Sequence, residues 1–300
     1  MSALALRDKP DTVRLRVALG IRLRDIATGR FVGEGPSVSV ARDVANARSY
    51  ALEAVPSAHW VNQEFSSRFR ELPEDRDDWP PLARDHAIAI DDASGQYLPL
   101  RLKGKLPCPD TFAWDGWPVL APAQLGPLLA PGETPDPPPA HLPLFPASAY
   151  AAGPLARVHA HLAFYKDEDT ITDAAWALMS VSLAGKVIGI GLSDARGAIG
   201  VYFPYPLIPD LTPQQKVQGR PVVKWPVTIA VHAKPLPAGE LPDLKDILAQ
   251  LGIPARLIHA TLASPSAPLG SQDLILGQPL VLRTAIDATR KASSLYLKAT

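Results

Sequence analysis

The sequence predicts a mostly β protein: two β-sandwich modules joined by a proline-rich linker, with one short helix near the C-terminal end. Three observations carry that expectation. A strand–turn–strand unit occurs twice, as HAIAIDDASGQYLPLRL over 86–102 and VIGIGLSDARGAIGVYFPYP over 187–206, with a looser relative, IRLRDIATGRFVG, over 21–33. Each sets an Asp and a Gly between alternating apolar runs, the pattern of strands with one buried face. Proline supplies 33 of 300 residues, about twice ordinary usage, and proline disrupts helix interiors. Seven of those prolines crowd between Pro131 and Ala147, which reads as a stiff joint between two folded parts.

The elements follow in order. Residues 1–11 are expected to be a flexible leader. The first sandwich is expected over 12–107. Thr12 to Gly20 alternates Val13, Leu15 and Val17 with Arg14 and Arg16, and Ile21 to Arg24 continues the strand. Asp25 to Gly29 is a turn, since Asp bonds backbone ahead of it and Gly tolerates positive φ. Pro36–Arg42 and Ser49–Val55 read as strands, Asn62–Glu71 as a short helix, and the following stretch as an acidic, proline-broken loop. The hairpin over 86–102 turns at Asp92 and Gly95. Roughly six strands in about 100 residues is sandwich spacing.

Residues 108–154 form the expected linker, largely extended over 118–140, with Trp114, Trp117, Phe145 and Tyr150 at its ends as anchors that dock on a neighbouring domain or subunit. The second sandwich is expected over 155–235. Its strands are Val158–Phe164, Trp176–Leu183, Val187–Leu192, Ala198–Tyr205 and Val222–Ala233, with a turn at Asp194 and Gly197. Ile171–Met179 also fits a helical turn, and Pro226 marks an edge or a bulge. The remainder, 236–300, is read as a short helix and an extended tail. The helix covers Leu241–Leu251, with Leu244, Ile247, Leu248 and Leu251 on one face and Gly252 as its stop. The tail packs back on the body or reaches another subunit as an added strand.

Composition excludes several classes. Thirty cationic and thirty acidic side chains give zero formal net charge, so there is no electrostatic footprint for nucleic acid or an anionic membrane. No apolar run reaches membrane-spanning length. A single cysteine, Cys108, allows neither an internal disulfide nor a cysteine zinc site, and no secretory leader pattern opens the chain. Cytoplasmic synthesis and assembly is the expectation, with release inside an extracellular particle left open.

Candidate chemistry is sparse. His159 and His161 lie two apart on a strand and so share a face; with Asp167, Glu168 or Asp169 they would make a metal site, the basis of a metal-dependent hydrolase reading. The plainer reading is two polar positions before a solvated loop. Asp91, Asp92 and Asp194 fit turn chemistry better than Ca²⁺ binding, which needs six or more oxygens. Gly189-x-Gly191 lacks the third glycine and the helix of a dinucleotide loop. Cys108 sits between prolines without the environment of a reactive thiolate, and Glu74 to Asp78 is a mixed-charge loop. Trp60, Trp79, Trp114, Trp117 and Trp225 could stack on sugars, as in a carbohydrate-binding surface module, or cover a seam. No catalytic residue, cofactor or metal is expected.

Ala175–Pro206 resembles the carboxypeptidase regulatory-like, or transthyretin-like, sandwich, in its small-residue turn, its strand ending in Ser193-Asp194, Gly197, and the aromatic strand with Tyr202 and Phe203. The whole resembles proteins found with phage-tail-like contractile injection systems: an "LRDxxTG" segment at Leu23–Gly29 and an "LPLFPxxxY" segment at Leu142–Tyr150. That resemblance implies a non-enzymatic structural subunit that binds other protein subunits through sandwich edges, linker aromatics and the C-terminal tail.

Overall fold

The structure is a computed structural model. It describes residues 19–62, 83–107, 114–151, 153–167, 169–207, 216–217, 220–221, 223–234, 241–263 and 267–299. The expected leader, Glu168, Cys108, Trp79, the loop over 74–78 and all but the first residue of the helix expected over 62–71 lie outside them.

The described chain is mostly β, in largely antiparallel sheets, with two short helices rather than one. The first sheet holds β1 (Ile21–Asp25), β2 (Phe31–Val32), β3 (Ser37–Arg42), β4 (Tyr50–Ala54), β5 (His59–Val61), β6 (Arg84–Asp91), β7 (Leu100–Leu106) and β8 (Leu142–Leu144). Its order is β2-β1-β5-β4-β3-β6-β7, and β8 joins β1 in parallel. Alternation works as the strand period requires: Val38, Val40, Ile88, Ile90, Leu100 and Leu102 all point into one core.

The proline-rich stretch departs from the extended linker expected of it. It folds into α1 (Pro122–Leu125), a 3-10 turn (Gly126–Leu128) and then β8. Pro122 opens the helix, where a missing N–H costs nothing, and Gln124 accepts the Ala121 N–H at 3.1 Å. Leu125, Leu128, Leu129, Leu142, Leu144 and Phe145 are buried in the first core. Proline stiffened the backbone, but the leucines between prolines had apolar area to bury, and burial of each is worth about 1.5–3 kcal/mol.

The second half builds two further sheets. Strand β9 (Ala156–Asp167) is the spine of one, with β10 (Thr170–Asp173) and β13 (Ala198–Phe203) antiparallel to it. The other has the order β12-β11-β16-β17, from β11 (Leu178–Leu183), β12 (Lys186–Leu192), β16 (Lys224–His232) and β17 (Gln272–Ile275). A short ribbon pairs β14 (Lys216–Val217) with β15 (Arg220–Pro221). Residues of both sheets share a second core of Val158, Leu162, Met179, Val181, Val201, Phe203, Val227 and Val231, among others. Strand β11 starts at Leu178, two residues later than expected, because Trp176 takes a left-handed φ of 57°. Pro226 lies where β16 pairs only with β17; the ladder with β11 begins at Thr228, so β16 is an edge at Pro226 among the described residues.

The tail packs back on its own chain. β18 (Leu280–Val281) and β19 (Leu295–Lys298) lie parallel to β9. Helix α2 (Leu244–Ala249), capped by Asp243, buries Leu244, Ile247 and Leu248 in the first core. That core also takes Trp176, Leu178, Ile190 and Leu192, so it crosses the boundary expected near residue 155. Gln250 clamps the crossing: its amide donates to Trp176 O at 2.8 Å and accepts Lys234 N–H at 2.8 Å. Among the described residues no helix is long and apolar enough to cross a membrane.

Candidate functional site

The two segments that carry the particle resemblance meet, their paired residues 119 apart in sequence. β1 and β8 align Leu23 with Leu142, Arg24 with Pro143 and Asp25 with Leu144. At the end of that ladder Asp25, buried, accepts three hydrogen bonds: Ala27 N–H at 2.8 Å, the Thr28 hydroxyl at 2.7 Å and the Tyr150 hydroxyl at 2.8 Å. The turn at Asp92 feeds the same place. Asp92 accepts Gln96 and Tyr97 N–H, and the chain beyond it bonds Leu98 N–H to Phe145 O and Ala147 N–H to Gln96 O. Tyr97 therefore lies against Tyr150, ring centroids 5.7 Å apart.

A row of rings continues from there into the second half. Tyr150 and Tyr202 are 5.2 Å apart, Tyr202 and His159 5.6 Å, and the Tyr202 hydroxyl donates to Ser148 O at 2.6 Å. Burial, and next the Asp25 charge, push the Tyr97 hydroxyl far above the usual phenol range. Burial and the hydrogen bond to Asp25 push Tyr150 up to about 12. Both phenols thus stay protonated at neutral pH, and Tyr150 donates to Asp25. An open cleft of about 750 Å³ reaches this cluster, lined in part by Asp25, Thr28, Arg30, Glu34, Tyr97 and Tyr150.

Arg24 and His141 lie on the other side of the ladder. Arg24 donates to Gly29 O and Pro127 O. His141, buried, packs edge-on to Trp117 and Phe31, bonds Leu128 O at 3.1 Å and faces Glu133 at 3.5 Å. Burial, foremost, holds its imidazole below the usual histidine range.

The aromatics expected at an interface are placed inside. Trp114, Trp117 and Phe145 belong to the first core, and Tyr150 is half-buried on Asp25. The five described tryptophans, Trp60, Trp114, Trp117, Trp176 and Trp225, are each 9% exposed or less, so none offers the open ring face that sugar stacking needs. His159 turns to Tyr202, while His161 meets Ser294 Oγ at 3.0 Å and Asp173 at 3.7 Å. Among the described residues no three His, Cys, Asp or Glu side chains are grouped to hold a metal.

Sequence reading singled out Asp25, Gly29, Asp92, Gly95, Phe145 and Tyr150 separately; the fold brings them to one place. It missed Tyr97, and gave Arg24 and Ser193 no role beyond the motifs that contain them. Ser193 is buried, its hydroxyl donating to Ala174 O at 2.7 Å and accepting Ala177 N–H at 2.8 Å. Its sequence signal was the Ser-Asp at the strand end of the transthyretin-like pattern. Against known proteins, the chain matches no family model, no curated protein and no solved structure.

Proposed function

We propose that this chain is a non-enzymatic structural subunit of a phage-tail-like contractile particle, built as a spacer of two transthyretin-like sandwich modules braced against each other. The observation that carries this reading is the joining of Leu23–Gly29 to Leu142–Tyr150 through the β1–β8 ladder and the Tyr150–Asp25 hydrogen bond. Both segments use their polar side chains for bracing: the Asp25 carboxylate is filled by three donors, and the phenols beside it stay protonated. Such an arrangement supports load and geometry rather than proton transfer. In this reading, partners meet the outside of the sheets, because the linker aromatics and the C-terminal strands are engaged within the chain.

The test is mass spectrometry of intact particles purified from cells that carry the gene. The protein should be recovered at a constant ratio to the other subunits. Recovery only in the soluble fraction, with particles assembling normally in its absence, would refute the reading.

A further inference from the structure

We propose that the open cleft above Asp25 binds the side-chain ammonium of a lysine carried by a partner protein. This deepens the subunit reading and rests on it for the choice of a protein partner.

The floor of the cleft is built around one negative charge. Asp25 is only 2% exposed, and its three donors, Ala27 N–H and the Thr28 and Tyr150 hydroxyls, are all neutral. Among the described residues no cation lies within ion-pairing distance of it. Arg24, its neighbour in sequence, commits its guanidinium to Gly29 O and Pro127 O, and Glu133 acts on that guanidinium more strongly than Asp25 does.

The charge reaches the surface of the cleft. After burial, the Asp25 charge holds the Tyr97 hydroxyl above the usual phenol range; after burial, the hydrogen bond to Asp25 and then its charge do the same for Tyr150. A field that opposes a phenolate favours a cation in the same place. Arg30 and Glu34, both exposed on the lining, offset one another, so Asp25 sets the sign.

Geometry narrows the choice of cation. Thr28 and Tyr150 donate inward to Asp25, so their oxygens keep lone pairs for an incoming N–H. The rings of Tyr97 and Phe31 line the same space, and an aromatic face attracts a cation. Phe31 already does so elsewhere on its ring, where Arg22 Cζ stands 3.5 Å from the centroid. Val32, Ala54, Val55 and Pro56 supply apolar wall, which suits an aliphatic stem behind a charged tip. Lysine brings these together: three N–H donors on a compact ammonium, no acceptor, and four methylenes.

Chemical-shift titration of the isotope-labelled full chain tests this, read at Ala54 and Val55 on the cleft wall. The probes are four capped tripeptides, Gly-X-Gly with X as lysine, trimethyllysine, arginine or norleucine, and the free diamine putrescine. The lysine peptide should bind about tenfold or more tighter than the norleucine peptide. It should also bind tighter than the trimethyllysine peptide, which keeps the charge but has no N–H on it. Arg30→Gln should tighten lysine binding about threefold, and Glu34→Lys should weaken it at least as much; both positions are exposed, so neither change threatens the fold. Norleucine or trimethyllysine bound as tightly as lysine, or an affinity that neither variant moves, would overturn the proposal. Tighter binding of arginine would overturn the choice of side chain, and tighter binding of putrescine the choice of a protein partner. None of these results bears on co-purification with a particle, so the subunit reading stands or falls by its own test.

Discussion

The turn at Asp92 joins two neighbours in one sheet, whereas the turn at Asp194 carries the chain from one sheet to another. Their local chemistry is the same. Asp92 accepts Ser94 N–H at 3.0 Å and Asp194 accepts Arg196 N–H at 2.8 Å. Gly95 and Gly197 each bond back to the Asp carbonyl with positive φ, 68° and 83°. Yet Ile90 pairs with Leu100 across the first turn, while Leu192 pairs with Leu178 and Ala198 with His161 on either side of the second. The difference lies in what surrounds the turns. Ser94 and Gly95 are exposed; Ser193 and Gly197 are buried against the chain between β10 and β11 and against Leu162. Turn chemistry reverses the chain, and burial of the flanking residues decides which sheet receives the next strand.

The sharpest way to break this comparison is alanine at the two glycines. A Cβ at Gly197 would stand 2.3 Å from Leu162 O, whereas one at Gly95 meets nothing within 4 Å. Gly197→Ala should destabilise by about 4 kcal/mol or more and Gly95→Ala by only about 1–2 kcal/mol, the cost of left-handed backbone alone. Urea unfolding of both variants measures this, and equal losses would mean the two turns are structurally equivalent after all. Serine gives the next contrast. Ser193→Ala leaves a buried N–H and a buried C=O without a partner, about 2–4 kcal/mol together, while Ser94→Ala at an exposed turn should stay within about 0.5 kcal/mol.

The third turn, at Asp25, extends the comparison to the seam. Tyr150→Phe removes one hydrogen bond to a buried carboxylate and should cost about 1.5–3 kcal/mol; a loss near zero would show that Tyr150 is not bracing that turn. The smallest effect is in pH. The folded pKa of His141 lies below its unfolded value, near 6.5, so the unfolded chain takes up the proton first as pH falls. Stability should therefore decline below about pH 6.5, by at most about 1.4 kcal/mol per pH unit from this group, and level off below the folded pKa. His86 and His159, also held low by burial, act in the same direction. His141→Asn should flatten the slope measured between about pH 5 and 7; an unchanged slope would place the titration elsewhere.

Much of the local structure was legible in the sequence. Strand alternation at Val38–Val40, Ile88–Ile90 and Ile199–Val201 announced which faces are buried, because the two-residue period is a property of the backbone itself. The Asp–Gly turns and the apolar stripe of Leu244, Ile247 and Leu248 were visible for the same reason: short-range geometry acts within a few residues. Proline density, by contrast, misled about residues 118–140. It reports backbone stiffness, and says nothing about whether the leucines beside the prolines find a core.

What only the tertiary structure decided is partnership at long range. The pairing of Leu23 with Leu142, the meeting of Asp25, Tyr97 and Tyr150, the return of the tail to β9 and the burial of Trp114 and Trp117 all join residues far apart in sequence. A local pattern marks a strand as half-buried or a ring as apolar. Which surface covers it is set by the free energy of burying the whole set of such faces together, and that sum belongs to no single stretch of sequence.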